Sequence, residues 1–186
     1  MVKLNKIYTR TGDGGSAGLV DGSHVSKSSL RMAAIGEIDE ANAAIGVAIA
    51  ALGGGETAYR LLAIQNDLFD LGADAATPGD VDGALRIVAN QVARLEIEID
   101  EMNDKLEPLT SFILPGGSPA VAALHLARTV VRRAERAAVA LNAAEPLNPQ
   151  LLAYLNRLSD HLFVAARHVA ASEGGDVLWR PGATRD

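Results

Sequence analysis

Five stretches of this 186-residue sequence place apolar residues three or four positions apart, and most of them are separated by glycine or proline. That spacing puts the apolar side chains on one face of an α-helix. Gly53-Gly54-Gly55 follows the first stretch and Thr77-Pro78-Gly79 the second, and both are typical of helix ends. The pattern predicts five helices, over residues 29–52, 56–76, 86–105, 119–142 and 149–171.

Five long helices with short connections predict an all-α fold, a five-helix up-and-down bundle with a ferritin-like arrangement. Alanine is abundant and aromatic residues make up only 4% of the chain, which favours closely packed helices. We expect one domain over residues 1–186. It divides into a non-helical Gly/Ser/Thr-rich segment (1–28), the bundle (29–171) and a polar tail (172–186).

Several classes of protein are disfavoured by composition. The absence of cysteine removes disulfides, zinc–thiolate sites and thiol nucleophiles. A net charge of −6 disfavours nucleic-acid binding. No histidine follows a glutamate by three residues, so the usual di-iron pattern is missing. No apolar run approaches a membrane span or a signal peptide, and we therefore expect a cytoplasmic protein.

The fourth predicted helix carries a line of arginines. Arg128, Arg132 and Arg136 follow one another at i, i+4 and i+8, on a sector shared with His125 and Glu135. The predicted core face is separate and consists of Ala120, Leu124, Ala127, Val131, Ala134 and Ala138. Closely spaced arginines repel one another, so an anionic partner is expected. That partner is either acidic residues of another helix, which composition alone favours, or a polyphosphate or carboxylate ligand.

Two further segments suit ligand binding, although neither is specific alone. The glycines and hydroxyls of residues 9–18 allow backbone N–H groups to converge on an anion, and Lys27 adds a charge. The glycine spacing matches neither a P-loop nor a dinucleotide fingerprint, and a flexible arm is the alternative. On the fifth helix, Asn156, Asp160, Phe163 and Arg167 form one stripe. This stripe is either a wet groove with one apolar wall or an ordinary surface.

Taken together, these segments resemble the ATP:cob(I)alamin adenosyltransferases of the propanediol-utilisation type. The resemblance rests on three motifs in the family's order, Lys6-Ile7-Tyr8-Thr9-Arg10-Thr11-Gly12-Asp13, Arg128-Thr129-Val130-Val131-Arg132-Arg133-Ala134-Glu135-Arg136 and Leu155-Asn156-Arg157-Leu158-Ser159-Asp160-His161-Leu162-Phe163. Supporting matches are Ile64–Phe69, Ser111–Gly117 and Asp176–Gly182. The resemblance implies transfer of the adenosyl group of ATP to the cobalt of reduced cobalamin. A non-catalytic carrier of adenosylcobalamin would use the same pocket and stays open as the alternative.

The resemblance also implies a homotrimer with ATP and cobalamin bound between subunits, and Mg²⁺ on the triphosphate. One subunit would contact ATP through Thr9, Arg10, Thr11, Gly12, Ser16, Ala17, Gly18 and Lys27. The neighbouring subunit would contribute Arg132, Glu135, Arg136 and Asn156. The corrin would be bordered by Phe112, Asn156, Asp160 and Phe163.

Four residues are implied in the reaction itself. Arg132 would stabilise the departing triphosphate, Phe112 would displace the lower axial ligand, and Asp39 would pair with Arg128 across the interface. Many relatives carry Thr-Thr where this chain has Ser16-Ala17, so one hydroxyl contact is lost. An electron-donating reductase and an acceptor enzyme that uses adenosylcobalamin are possible partners.

Overall fold

The structure is a computed structural model that describes residues 7–185; residues 1–6, with Lys6 of the first motif, and residue 186 lie outside the described residues. Within that range the chain forms five α-helices and one two-stranded antiparallel sheet. The strands are β1 (Ser16–Gly18) and β2 (His24–Ser26). The helices are α1 (Leu30–Leu52), α2 (Gly55–Ala75), α3 (Ala89–Asn103), α4 (Pro119–Ala144) and α5 (Pro149–Ala171). The predicted helical bundle is confirmed, and the small sheet is an addition to it.

Side-chain caps fix where three of the helices begin. The Ser29 hydroxyl accepts from the Met32 N–H at the start of α1, and Ser118 accepts from the Val121 N–H at the start of α4. Asn148 caps α5 in the same way. Such caps satisfy N–H groups that have no partner within the helix. These helices therefore begin within one residue of the predicted positions.

The start of α3 is an exception, since it lies three residues after the predicted Arg86. The Asp74 carboxylate is fully buried and accepts from the Ile87 N–H at 2.9 Å and from the Arg86 guanidinium at 2.7 Å. Residues 86–88 stay extended to make these bonds. The Gln91 side chain then accepts from the Val88 N–H at 3.0 Å, and the helix begins. A buried carboxylate without donors is costly, and this cost overrides the helical pattern.

All five helices contribute buried residues to one core. α4 packs against both α1 and α5, while α2 packs on α1 and α3 packs on α5. All six residues of the predicted α4 core face are buried, and so are Leu151, Leu155, Leu158 and Leu162 of α5. Ile38 and Ile45 of α1 are buried, whereas Ile35 and Ile49 are partly buried. Among residues 7–185, no helix combines the length and apolar character needed to cross a bilayer.

A buried polar cluster joins α2, α3 and α5. The Asp67 carboxylate accepts from the Tyr154 hydroxyl at 2.7 Å and from the Gln91 amide at 3.0 Å, and it pairs with Arg94. Tyr154 is fully buried, and burial together with the Asp67 charge raises the pKa of its hydroxyl. This cluster fixes the rotation of α5 about its axis, and with it the position of Asn156 and Phe163 on the same helix.

Candidate nucleotide and corrin site

Three of the four arginines of α4 have no carboxylate partner among residues 7–185. Arg132 and Arg136 are exposed and Arg128 is half-buried; the Arg136 guanidinium donates to the Arg132 carbonyl at 2.9 Å. Arg133, further round the helix, pairs instead with Glu37, at 2.5 Å, and Glu40 of α1. These carboxylates raise the pKa of Arg133. Within residues 7–185, acidic residues of another helix therefore pair with Arg133 but not with Arg128, Arg132 or Arg136.

The amino-terminal end of this arginine sector is buried. His125 is 3% exposed, and neither its Nδ1 nor the Nε of Arg128 has a hydrogen-bond partner in the described chain. Burial, followed by the Arg128 charge, lowers the pKa of His125; burial, followed by the Arg132 charge, lowers that of Arg128. An unsatisfied buried donor costs about 1–3 kcal/mol. Arg128 therefore keeps unused hydrogen-bonding capacity within the described chain.

The stripe on α5 connects to the arginine sector at one end. The Asn156 amide donates to Glu135 of α4 at 2.9 Å. The exposed Asp160 accepts from Arg157 at 3.0 Å. Phe163 is half-buried, and its ring centroid lies 6.4 Å from that of His125. Asn156 and Phe163 therefore contact the arginine sector, whereas Asp160 pairs with Arg157 and borders residues of α3. Arg167, which the stripe placed on a groove or a surface, is buried.

Phe112 lies on the connection between α3 and α4. Its side chain is 78% exposed, and its ring contacts the Trp179 ring with centroids 6.0 Å apart. A short bridge between Ile113 and Leu178 pairs this connection with the tail. The polar, glycine-rich composition of residues 172–186 did not lead us to predict this pairing. The cluster of apolar residues Val177, Leu178 and Trp179 was the one feature of the tail that could have indicated it.

The glycine-rich segment folds as a hairpin. β1 and β2 pair antiparallel, with Ala17 opposite Val25, so Ala17 contributes backbone and a methyl group. Lys27 follows β2 and its amino group donates to the Gly12 carbonyl at 2.8 Å. A Cβ at position 12 would lie 2.9 Å from that nitrogen, so a larger residue there would displace the Lys27 amino group. Lys27 is thereby held over the loop of residues 9–15.

Within that loop the other predicted ATP contacts are exposed or half-buried. The Thr9 and Thr11 hydroxyls hydrogen-bond each other at 2.8 Å. Arg10 has a left-handed backbone, with φ of 64°, and its guanidinium lies over the Tyr8 ring. Ser16 and Gly18 lie at the two ends of β1. The loop therefore presents hydroxyl, backbone and cationic groups together.

The hairpin residues and the arginine sector do not meet in one chain. Among residues 7–185, no hydrogen bond, ion pair or ring contact joins the predicted contacts at positions 9–27 to Arg132, Glu135, Arg136 or Asn156. Asp39 of α1 is exposed and makes no ion pair within the described range. It lines a cleft of about 430 Å³ between α1 and α2. Each chain thus carries two separate polar surfaces.

These features define a class, a helical-bundle protein with a cationic sector suited to a polyphosphate ligand. The family model for cobalamin adenosyltransferase matches residues 7–169, and the chain belongs to this family. A corrinoid adenosyltransferase of Mycobacterium tuberculosis is 52% identical over 99% of this chain and 97% of its own length. A cobalamin adenosyltransferase of Cupriavidus metallidurans is 51% identical over 96% of both chains.

A solved structure of a relative shares the same bundle. It is a variant PduO-type ATP:corrinoid adenosyltransferase from Lactobacillus reuteri complexed with cobalamin and ATP. It has a TM-score of 0.88 and 37% sequence identity, and the match covers 95% of this chain and 97% of that one. A second variant of this relative, complexed with ATP, gives a TM-score of 0.85.

Proposed function

We propose that this protein transfers the 5′-deoxyadenosyl group of ATP to the cobalt of cob(I)alamin, giving adenosylcobalamin and triphosphate. One observation carries the proposal most directly. Arg128, Arg132 and Arg136 form a cationic sector that no carboxylate of the described chain neutralises, in a member of the cobalamin adenosyltransferase family. A triphosphate is opposite in charge to the exposed guanidinium groups of Arg132 and Arg136, and its oxygens can accept two hydrogen bonds from each.

The separation of the two surfaces supports a site shared between subunits. The hairpin, with Lys27 over residues 9–15, binds ATP from one subunit. Arg132, Arg136, Glu135 and Asn156 reach it from the next, in a homotrimer. Among residues 7–185, the exposed Asp39 of α1 makes no ion pair, and the buried Arg128 Nε–H has no acceptor. An Asp39–Arg128 pair across the interface satisfies both groups and holds the arginine helix against the neighbouring hairpin.

The reaction needs positioning and charge stabilisation more than proton transfer. The Co(I) electron pair forms the Co–C5′ bond while the C5′–O bond breaks, and the triphosphate leaves with the electron pair of the C5′–O bond. The chain's task is to hold C5′ in line with cobalt and to stabilise charge on the leaving group. Arg132, Arg136 and Lys27 suit the second task because they are cations, and bonds to backbone carbonyls hold Arg136 and Lys27 in place.

The corrin lies against the side chains of Phe112, Asn156, Asp160 and Phe163. The exposed Phe112 ring occupies the face from which the lower axial ligand is displaced, which eases reduction of cob(II)alamin by an electron donor. Mg²⁺ accompanies ATP, since this ion takes most of its ligands from phosphates and water. Among residues 7–185 there is no group of three or more metal-ligating side chains, so no protein ligand is assigned to it.

A transfer assay tests the proposal. The protein is mixed with ATP, Mg²⁺ and chemically reduced cobalamin, and absorbance follows Co–C bond formation while triphosphate is quantified. The expected result is adenosylcobalamin and triphosphate in equal amounts over many turnovers. Binding of both substrates without product would contradict transfer and favour a carrier of adenosylcobalamin. We place the reaction in the cytoplasm, with the product passed to an enzyme that uses adenosylcobalamin.

A further inference from the structure

The tail after α5 determines where the Phe112 backbone lies. The Trp179 N–H donates to the Phe112 carbonyl at 2.8 Å, and the Leu114 N–H donates to the Val177 carbonyl at 2.7 Å. The Ser111 hydroxyl adds a bond to the Trp179 carbonyl at 3.0 Å. These three bonds align residues 111–114 with residues 177–179. The position of Phe112 therefore depends on whether the tail is docked.

One buried arginine holds both of these segments against the bundle. Arg167 of α5 is 8% exposed. Its Nε–H donates to the Asp176 carboxylate at 3.0 Å, and its Nη2 donates to the Glu107 carbonyl at 2.8 Å. Asp176 immediately precedes the paired tail residues, and Glu107 lies five residues before Phe112. A single guanidinium thus anchors the tail and the connection together.

This anchor matters because Phe112 has little packing of its own. Its ring is mostly in solvent and contacts Trp179. The Arg167 and Asp176 side chains are 9% and 15% exposed, so solvent screens their interaction weakly. Arg167 also lies one turn after Phe163 on the same stripe of α5. The helix that carries Phe163 therefore also holds the segment that carries Phe112.

We propose that Arg167 is a positioning residue for Phe112, acting through Asp176 and Glu107. The Arg167 fork docks the tail, the docked tail aligns residues 111–114, and this alignment directs the Phe112 ring to the axial face of the corrin. The inference rests on the proposed function. Loss of the Arg167 anchor should therefore slow the reaction that starts from cob(II)alamin, because that reaction needs displacement of the lower axial ligand. It should change ATP binding little.

Asp176→Asn is the mildest test, because the amide keeps the shape and one acceptor but loses the charge. Trp179 is the only tryptophan of the chain, so its fluorescence reports tail docking without any assay of activity. Glu173→Gln is the matched control. It makes the same chemical change three residues earlier in the tail, at an exposed side chain.

We expect acrylamide to quench Trp179 more strongly in Asp176→Asn than in the natural chain or in Glu173→Gln, with unchanged helical circular dichroism. The rate from cob(II)alamin, divided by the rate from chemically prepared cob(I)alamin, should fall about tenfold to hundredfold. The KM for ATP should stay within about twofold. Arg167→Lys keeps the charge but loses the fork, and should give an intermediate ratio.

Unchanged quenching of Trp179, or an unchanged ratio in Asp176→Asn, would overturn the positioning role while leaving adenosyl transfer intact. An equal loss from cob(II)alamin and cob(I)alamin would also overturn it, because general damage to the site affects both rates. Failure of the natural chain to act on cob(I)alamin is a different result, and would overturn the proposed function itself.

Discussion

Replacing Arg132 with alanine separates chemistry from folding, because this arginine contributes little to the fold. The side chain is exposed and makes no ion pair among residues 7–185, and its carbonyl keeps the bond from Arg136 after truncation. Exposed substitutions of this kind change the free energy of unfolding by about 0.5 kcal/mol or less. Any large effect on turnover is then an effect on the reaction.

We expect the kcat of Arg132→Ala to fall about 10²–10³-fold, which corresponds to about 2.7–4 kcal/mol for one preorganised donor on the developing charge. The assay is the rate of adenosylcobalamin formation from chemically reduced cob(I)alamin at saturating ATP. Thermal unfolding is measured on the same samples and should be nearly unchanged.

Arg133→Ala is the matched control, one residue along the same helix. It removes the ion pairs with Glu37 and Glu40, so it should lower Tm while keeping kcat close to that of the natural chain. Natural kcat in Arg132→Ala would refute the leaving-group role. An equal loss of kcat in both variants would show that the loss arises from general damage to helix α4 and not from the missing Arg132 guanidinium.

Phe112→Ala should keep the ATP affinity but slow turnover that starts from cob(II)alamin; an unchanged rate from cob(II)alamin would count against the role of this ring. Asp39→Asn should lower kcat/KM for ATP by about tenfold or more, since a charged hydrogen bond contributes about 1.5–3 kcal/mol. Unaltered steady-state kinetics would contradict the interface pair. Tyr154→Phe should destabilise the fold by about 1–3 kcal/mol, because it removes the buried bond to Asp67, and urea unfolding measures this difference. His125 has a lowered pKa in the folded chain, so protonation below about pH 6.5 favours the unfolded state. The free energy of unfolding should fall as pH drops below that value, and His125→Asn should make this fall shallower; equal slopes would contradict it.

Periodicity was enough to predict the helices and most of their core faces, since these depend on local spacing. It placed the α3 start too early because the deciding group is the Asp74 carboxylate, 13 residues away from the Ile87 N–H that it accepts from. The Asp67–Tyr154 bond joins residues 87 positions apart and likewise could not be predicted from periodicity. Buried polar contacts of this kind depend on the assembled bundle.

For the site, the sequence identified the arginine sector but not which arginines are buried or paired with carboxylates. Arg133 forms ion pairs with carboxylates of α1, whereas Arg132 has no such partner in the described part of the chain. The two residues are adjacent, and only the packing of the helices distinguishes them. The burial of His125 and Arg167 was missed for the same reason, because a helical wheel shows which residues share a face but not what covers it. Asp176 gave no signal of its anchoring contact, which depends on the docked tail.

The most direct test of a site shared between subunits is complementation in mixed oligomers. Lys27→Ala disables the hairpin surface and Arg132→Ala disables the arginine surface, and the two chains are co-expressed and purified together. If each site combines the hairpin of one subunit with the arginine helix of another, random mixing leaves about a quarter of the sites intact. The mixture should recover about this fraction of natural activity. Activity no greater than that of the two variants alone would contradict it, because every site would then lie within one chain.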